Sequence, residues 1–199
     1  MEIKICGMRT IQDIEYMNIY KPEYVGFILA PSKRQITPNL CKELISKLDE
    51  NIIKVGVFVN TSSEKINQIV SFCGLDIAQL HGEEKPYECD KIEASVWKAF
   101  RIRSKKDIEK IDDYNVDGCL LDAYDKNAYG GTGKSFSWQL IKDLDIKRKL
   151  ILAGGIKLEN VENTMTIDGI KCIDVSSGVE TNGIKDKDKI REIIERVRK

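Results

Sequence analysis

Short apolar runs rich in β-branched residues recur along the chain, and polar or glycine-containing segments separate them. There are eight such runs, at positions 2–6, 24–29, 53–59, 75–80, 95–100, 117–122, 149–153 and 170–175. Runs of this length and composition are typical of buried strands. We therefore predict eight strands.

The segments between these runs have the spacing of amphipathic helices. The apolar positions concerned are Ile11-Ile14-Met17, Leu40-Leu44-Ile45-Leu48, Ile66-Ile69-Val70, Ile108-Ile111, Leu140-Ile141-Leu144 and Ile190-Ile193-Ile194-Val197. Helix starts are predicted at Thr37-Pro38, at Ser62 or Ser63, and at Ser137, because these residues can cap a first turn.

Alternating strands and helices predict a parallel sheet that is buried on both sides. Eight units of roughly 25 residues favour a single (β/α)₈ TIM barrel over residues 1–199. An open doubly wound sheet is the alternative fold, but no G-x-G-x-x-G follows the first strand.

Composition narrows the possible partners. The 32 basic residues balance the 32 acidic ones, and pI is about 6.6, so no overall charge favours nucleic acid or a membrane surface. The six cysteines form no C-x-x-C pair, which favours a reducing cytoplasm and no metal site. We expect a cytoplasmic protein and leave a small neutral or anionic substrate open. Nothing in the sequence decides between a monomer and a homodimer.

The carboxyl ends of barrel strands are where catalytic groups gather. Cys6 ends the first strand and Asp122 the sixth, so the two form a candidate base and acid pair. The alternatives are a buried thiol for Cys6 and, for Asp122, a helix cap or an ion pair with Lys126 or Lys134. His81, the only histidine, ends the fourth strand and is a candidate for substrate binding.

Small residues follow the last two strands, where such barrels frequently bind phosphate. They are Gly154 and Gly155 after the seventh strand, and Ser176, Ser177 and Gly178 after the eighth. Tight turns are the alternative interpretation of these glycines.

Lys4 lies two positions before Cys6 in the first strand, so both side chains should point into the barrel. A buried ammonium needs a partner there, and we expect that partner to be Asp174.

The segment YGGTGKS at 129–135 is similar to a nucleotide-binding P-loop but lacks its first glycine, since Ala128 stands there. Its place after the sixth strand suits a loop that closes over substrate. The residues concerned are Gly130, Gly131, Gly133 and Lys134.

Nine fragments in order resemble the phosphoribosylanthranilate isomerase family of tryptophan biosynthesis. They are KICGM at 4–8, VGF at 25–27, SKR at 32–34, VGVFVN at 55–60, QLHGEE at 79–84, LLD at 120–122, YGGTGKSFSW at 129–138, LAGGI at 152–156, and DVSSGVE with KD at 174–186. The resemblance implies a cofactor-independent (β/α)₈ barrel that performs an Amadori rearrangement. It places the general base at Cys6, the general acid at Asp122 and an arginine facing the anthranilate carboxylate at Arg34.

This chemistry sets requirements on both groups. Asp122 must carry a proton when the ribose ring opens, although a free carboxylic acid is ionised at neutral pH. Cys6 must act as a thiolate, which requires a pKa below its ordinary value of about 8.5 or direct transfer of its proton to another group.

One segment departs from the family pattern. The family has V-E-x-x-P-G-x-K-D after the eighth strand, whereas this chain reads VETNGIKD, one residue shorter and without the proline. Asn182-Gly183 is expected to form a tight turn there.

Two other functions remain open at this point. A sister Amadori isomerase of histidine biosynthesis, or a bifunctional enzyme, would bind a substrate with two phosphates, but no second glycine-rich segment follows the third or fourth strand. A non-catalytic phosphate-binding barrel is the other alternative, and the presence of both Cys6 and Asp122 argues against it.

Overall fold

A computed structural model describes residues 1–102, 104–122 and 148–199 of the chain. Eight parallel strands close into a barrel in chain order, and the first strand pairs with the eighth. The strands are β1 (Glu2–Cys6), β2 (Tyr24–Ile28), β3 (Ile53–Phe58), β4 (Ile77–Leu80), β5 (Ser95–Arg101), β6 (Gly118–Asp122), β7 (Lys149–Ala153) and β8 (Ile170–Val175). The prediction of a (β/α)₈ barrel is confirmed.

Helices connect the strands on the outside of the barrel. Those in the described part are α1 (Ile11–Tyr20), α2 (Pro38–Ile45), α3 (Ser63–Cys73), α4 (Pro86–Cys89), α5 (Lys105–Glu109), α6 (Val161–Thr164) and α7 (Lys187–Val197). A 3₁₀ helix, Lys110–Asp113, follows α5. The predicted helix around Leu140-Ile141-Leu144 and its cap Ser137 lie outside the described residues. None of the described helices is long and apolar enough to cross a membrane.

Two of the predicted helix starts are confirmed by their hydrogen bonds. The side chain of Thr37 accepts from the backbone N–H of Leu40 at 3.3 Å, and Pro38 occupies the first turn. Ser62 accepts from the N–H of Lys65 at 3.4 Å in the same way. Each cap satisfies a donor that the first helical turn leaves without a partner.

The core has two layers, because side chains alternate across each strand. Ile3 and Ile5 belong to the larger cluster between strands and helices, which also contains Ile14, Met17 and Ile193. The side chains at the alternate strand positions fill the interior of the barrel. The apolar residues in this inner cluster are Tyr24, Val55, Ile77, Trp97, Ala99, Leu120, Ile151, Ala153 and Cys172.

A buried ion pair crosses from β1 to β8 inside the barrel. The Nζ of Lys4 donates to both carboxylate oxygens of Asp174 at 2.9 Å, and the Lys4 side chain is fully buried. The predicted pairing is confirmed. Burial favours the neutral amine, but the pairing with Asp174 and the nearby Cys6 outweigh it, so the pKa of Lys4 is raised.

A small hairpin lies between β8 and α7. Its strands are β9 (Glu180–Thr181) and β10 (Ile184–Lys185), and the turn residues Asn182 and Gly183 have φ of 54° and 77°. Two central residues with positive φ are characteristic of a type I′ turn, which Asn-Gly favours. The predicted tight turn is confirmed, and its register places Glu180 opposite Lys185.

Candidate active site

Polar side chains from several strands converge at the carboxyl end of the barrel. Cys6 ends β1 and Asp122 ends β6, both on the parity that faces the interior, and His81 follows β4 on the same parity. The alternation that fills the barrel with apolar residues therefore brings these three groups to its mouth.

The neighbouring strand leaves the Cys6 thiol just enough space. A Cβ at Gly26 of β2 would lie 2.6 Å from the Cys6 Sγ, so only glycine fits beside it. On the other side, the hydroxyl of Ser176 donates to the Cys6 carbonyl at 3.2 Å. Cys6 is thus held between β2 and the loop after β8, with 5% of its surface exposed.

The electrostatics of Cys6 differ from one of the two expectations. Burial raises the pKa of the Cys6 thiol, and the adjacent Lys4 ammonium opposes this effect without reversing it. The expectation of a lowered pKa is therefore wrong for this state of the protein. Lys4 nevertheless places a positive charge next to the position where a thiolate would form.

Asp122 lies beside the only histidine. The Nε2 of His81 is 3.3 Å from the Asp122 Oδ2, and its Nδ1 is 3.1 Å from the Gln79 Nε2. The side chains of His81 and Asp122 are 26% and 18% exposed, so both are accessible from the mouth. The alternative partners Lys126 and Lys134 lie outside the described residues.

Arg34, in the loop after β2, is held by a carboxylate from the hairpin. Its Nε and Nη2 donate to the two oxygens of Glu180 at 2.7 and 2.6 Å. Glu180 also accepts from the Nζ of Lys185 at 2.8 Å, and Lys185 donates to the Ser176 carbonyl at 2.9 Å. Burial favours the neutral form of Glu180, but the two cations outweigh it and lower its pKa to about 2.

The two predicted phosphate segments come together. A Cβ at Gly178 would lie 1.9 Å from the Ile156 carbonyl oxygen, so the loops after β7 and β8 touch through this glycine. Gly154 and Gly155 have φ of 93° and 65°, and open space lies above Gly155. Their backbone adopts a conformation that residues with a side chain rarely take.

The predicted closing loop, with Gly130, Gly131, Gly133 and Lys134, lies outside the described residues. Within the described ranges, no group of three or more histidine, cysteine, aspartate or glutamate side chains is arranged to bind a metal. A cavity of about 390 Å³ lies beside His81, between Arg101 and Tyr114. Its lining does not include Cys6 or Asp122, so we assign it no role.

Sequence reasoning did not find the partners that hold these groups. No pattern in the sequence predicts a role for Glu180 or Gln79, and for Lys4 it predicts only the pairing with Asp174. One signal was available for Glu180: a two-residue Asn-Gly turn places the residues two positions before and after it opposite each other. Nothing local marked its contact with Arg34, because the two are 146 positions apart.

With this geometry in place, comparisons with known proteins decide the family. A family model described as N-(5′phosphoribosyl)anthranilate (PRA) isomerase matches residues 3–196. The chain belongs to the PRA isomerase family.

Individual relatives agree with this assignment over their whole length. The N-(5′-phosphoribosyl)anthranilate isomerase of Clostridium acetobutylicum is 47% identical, over 100% of this chain and 98% of the relative. The crystal structure of the phosphoribosyl anthranilate isomerase of Thermotoga maritima is 37% identical, with a TM-score of 0.91 over 99% of this chain and 98% of that one.

A third relative contains a ligand. It is a PRA isomerase in complex with reduced 1-(o-carboxyphenylamino)-1-deoxyribulose 5-phosphate, 35% identical with a TM-score of 0.87, over 99% of this chain and 98% of that one. The family predicted from the sequence is therefore confirmed.

Proposed function

We propose that this member of the PRA isomerase family converts N-(5′-phosphoribosyl)anthranilate into 1-(2-carboxyphenylamino)-1-deoxy-D-ribulose 5-phosphate, the third step of tryptophan biosynthesis from chorismate. The observation that carries the proposal is the placement of a thiol and a carboxyl group, Cys6 and Asp122, on inward-facing strand ends of one barrel mouth. The rearrangement needs one base and one acid and no cofactor.

Asp122 acts first, as the general acid. Its carboxyl group transfers a proton to the ribose ring oxygen, the bond from C1′ to that oxygen breaks, and the nitrogen lone pair forms a C1′=N bond. Asp122 is left as a carboxylate. The nearby His81 can donate a hydrogen bond to this carboxylate and so stabilise the charge that the step creates.

Cys6 acts second, as the general base. It removes the proton on C2′, the C–H electron pair forms a C1′=C2′ bond, and the C1′=N π pair returns to the nitrogen. The resulting enol gains a proton at C1′ and loses the one on its 2′-hydroxyl to become the ketone. The Lys4 ammonium lies next to the thiolate that this step requires and is held there by Asp174. Because burial raises the pKa of Cys6, the thiolate fraction is small at neutral pH and grows as pH rises.

The remaining site residues bind the two ends of the substrate. Arg34 would face the anthranilate carboxylate, since among the described residues its side chain is engaged only through Nε and Nη2. Five residues would hold the phosphate through the loops after β7 and β8, namely Gly154, Gly155, Ser176, Ser177 and Gly178. Their contact through Gly178 supports a single phosphate site.

Other properties of the protein remain predictions. We expect no nucleic-acid or membrane partner, a cytoplasmic location, and a monomer or a homodimer. The glycine-rich segment at 129–135 remains a proposed closing loop.

A fluorescence assay tests the proposed function. Purified protein should consume N-(5′-phosphoribosyl)anthranilate, with loss of its fluorescence, and should not convert the histidine-pathway aminoaldose. Turnover of the histidine-pathway substrate alone would refute the assignment. For Arg34→Met we expect a higher KM with a smaller change in kcat, and an unchanged KM would remove Arg34 from carboxylate binding.

A further inference from the structure

Three side chains form a hydrogen-bonded row from inside the barrel to its mouth. Gln79 of β4 is 1% exposed and contacts the His81 Nδ1 through its amide nitrogen at 3.1 Å. His81 reaches across to β6, where its Nε2 is 3.3 Å from the Asp122 Oδ2. The imidazole therefore links a buried amide to the proposed general acid.

The direction of the first hydrogen bond follows from which atom of the amide faces His81. The Oε1 of Gln79 is buried and has no hydrogen-bond donor among the described residues. The amide atom that faces the His81 Nδ1 is Nε2, at 3.1 Å. An amide nitrogen carries hydrogens and cannot accept, so Gln79 donates to His81.

This direction determines where the neutral imidazole carries its proton. Because the Nδ1 of His81 accepts from Gln79, its hydrogen is on Nε2. Nε2 then donates to the Oδ2 of Asp122. A neutral imidazole with the opposite tautomer would accept at Nε2 and compete with the substrate for the carboxyl proton of Asp122.

We propose that Gln79 is a positioning residue for the general acid, because it holds His81 as the Nε2–H tautomer. The Nε2–H group then donates to the Oδ2 of Asp122, and Oδ1 carries the proton. This inference rests on the proposed role of Asp122. The proton passes from Oδ1 to the ribose ring oxygen as the C1′–O bond breaks. The same Nε2–H then stabilises the carboxylate, because hydrogen bonds to a charged acceptor are stronger than those to a neutral one.

A simple core role for Gln79 makes a different prediction. A buried amide with an unpaired oxygen costs stability, so an apolar side chain of similar length would be tolerated or even stabilising at this position. Under that alternative, replacing Gln79 would alter stability and leave the imidazole and kcat unchanged.

The chain offers a direct spectroscopic test, because His81 is its only histidine. Protein labelled with ¹⁵N-histidine gives the two nitrogen shifts of a single imidazole, and these distinguish the tautomers. We expect a protonated Nε2 and an unprotonated Nδ1 in the wild type at a pH where the ring is neutral. A wild-type ring protonated on Nδ1 alone would overturn the proposal.

Two variants and a control complete the test. In Gln79→Met we expect both tautomers and a kcat lowered about tenfold, part of the contribution of about 10²-fold or more that a positioned acid makes, with KM nearly unchanged. Gln79→Glu, which can only accept from Nδ1, should shift the proton to Nδ1 and lower kcat as well. Gln68→Met, at an exposed position on α3, should change neither.

The outcomes separate this inference from the proposed function. Wild-type nitrogen shifts and wild-type kcat in Gln79→Met would refute the role of Gln79 while leaving Asp122 as the acid. Full turnover by Asp122→Asn would instead remove Asp122 from the mechanism, whatever the tautomer of His81.

Discussion

Glu180 joins the hairpin to the loop after β2, and replacing it should destabilise the protein. Its carboxylate accepts three charge-assisted hydrogen bonds, two from Arg34 and one from Lys185, at 2.6 to 2.8 Å. The side chains of Glu180 and Lys185 are 4% and 1% exposed, whereas that of Arg34 is 27% exposed. Glu180→Gln keeps the shape of the side chain and removes its charge.

The expected loss follows from what remains for the two cations. Breaking a buried ion pair by removing one partner costs about 3–5 kcal/mol. The glutamine oxygen still accepts one hydrogen bond, and Lys185 keeps the Ser176 carbonyl at 2.9 Å. We therefore expect a loss at the lower end, about 3 kcal/mol, which is a large part of a total stability of about 5–15 kcal/mol.

Urea unfolding at pH 7 measures this loss, and a double mutant locates it. If the cost arises from the buried Lys185 ammonium, then Glu180→Gln combined with Lys185→Met should be destabilised by about 1–2 kcal/mol less than the sum of the two single changes. Glu162→Gln is the matched control, because it removes an exposed ion pair in which Glu162 lies 3.9 Å from Arg196. This variant should lower the free energy of unfolding by less than about 0.5 kcal/mol.

The KM and kcat of Glu180→Gln provide a second test of the same contacts. Since Glu180 orients Arg34, we expect Glu180→Gln to raise KM more than it lowers kcat. A loss of stability below about 1 kcal/mol, or strict additivity with Lys185→Met, would show that the carboxylate does not hold the two cations in the way described.

Three further predictions concern acid, glycine and base. Because the cations at Glu180 lower its pKa from 4.5 to about 2, its contribution to stability is present above pH 4.5 and is lost as pH falls toward 2. The free energy of unfolding of the wild type should fall over this range, and that of Glu180→Gln should fall less. Gly178→Ala would place its Cβ 1.9 Å from the Ile156 carbonyl oxygen. We therefore expect the free energy of unfolding to fall by about 2 kcal/mol and competitive inhibition by inorganic phosphate to weaken. Unchanged inhibition would contradict a phosphate site at Gly178. Because burial raises the pKa of Cys6, alkylation of its thiol by a small reagent, located by mass spectrometry, should be slow at pH 7 and should accelerate between about pH 7 and 9. A rate that is already constant at pH 7 would contradict the raised pKa.

The sequence was sufficient for the barrel because its strands carry strong local signals. Each of the eight predicted apolar runs coincides with one of the eight strands to within a residue or two at the ends. For example, β4 starts at Ile77 and β5 extends to Arg101. Strand parity also predicted the Lys4–Asp174 pair, since both side chains had to point into an apolar interior.

Short helices were missed for a physical reason. The helices α4 and α6 have four residues each, which is about one turn, so no 3.6-residue periodicity can be detected in them. Conversely, α2 ends at Ile45, before the Leu48 that continued its apolar pattern. Leu48 packs into the core from the turn beyond the helix.

The proposed acid and base could be placed in the fold from the sequence, but the residues that contact them could not. Cys6 and Asp122 stand at predictable strand ends. The roles of Gln79 and Glu180 depend on which side chains meet them in three dimensions, and those side chains come from other strands and loops. A buried glutamine within an apolar strand was the one signal for Gln79, since an amide in such a place needs a partner.

The central claim is that Cys6 and Asp122 are the base and the acid of an Amadori rearrangement. Its most direct test is the turnover of N-(5′-phosphoribosyl)anthranilate by Cys6→Ala and Asp122→Asn, with unfolding curves to show that both variants fold. We predict that each lowers kcat by about 10²-fold or more. Near-native turnover by either folded variant would contradict the assignment of that residue.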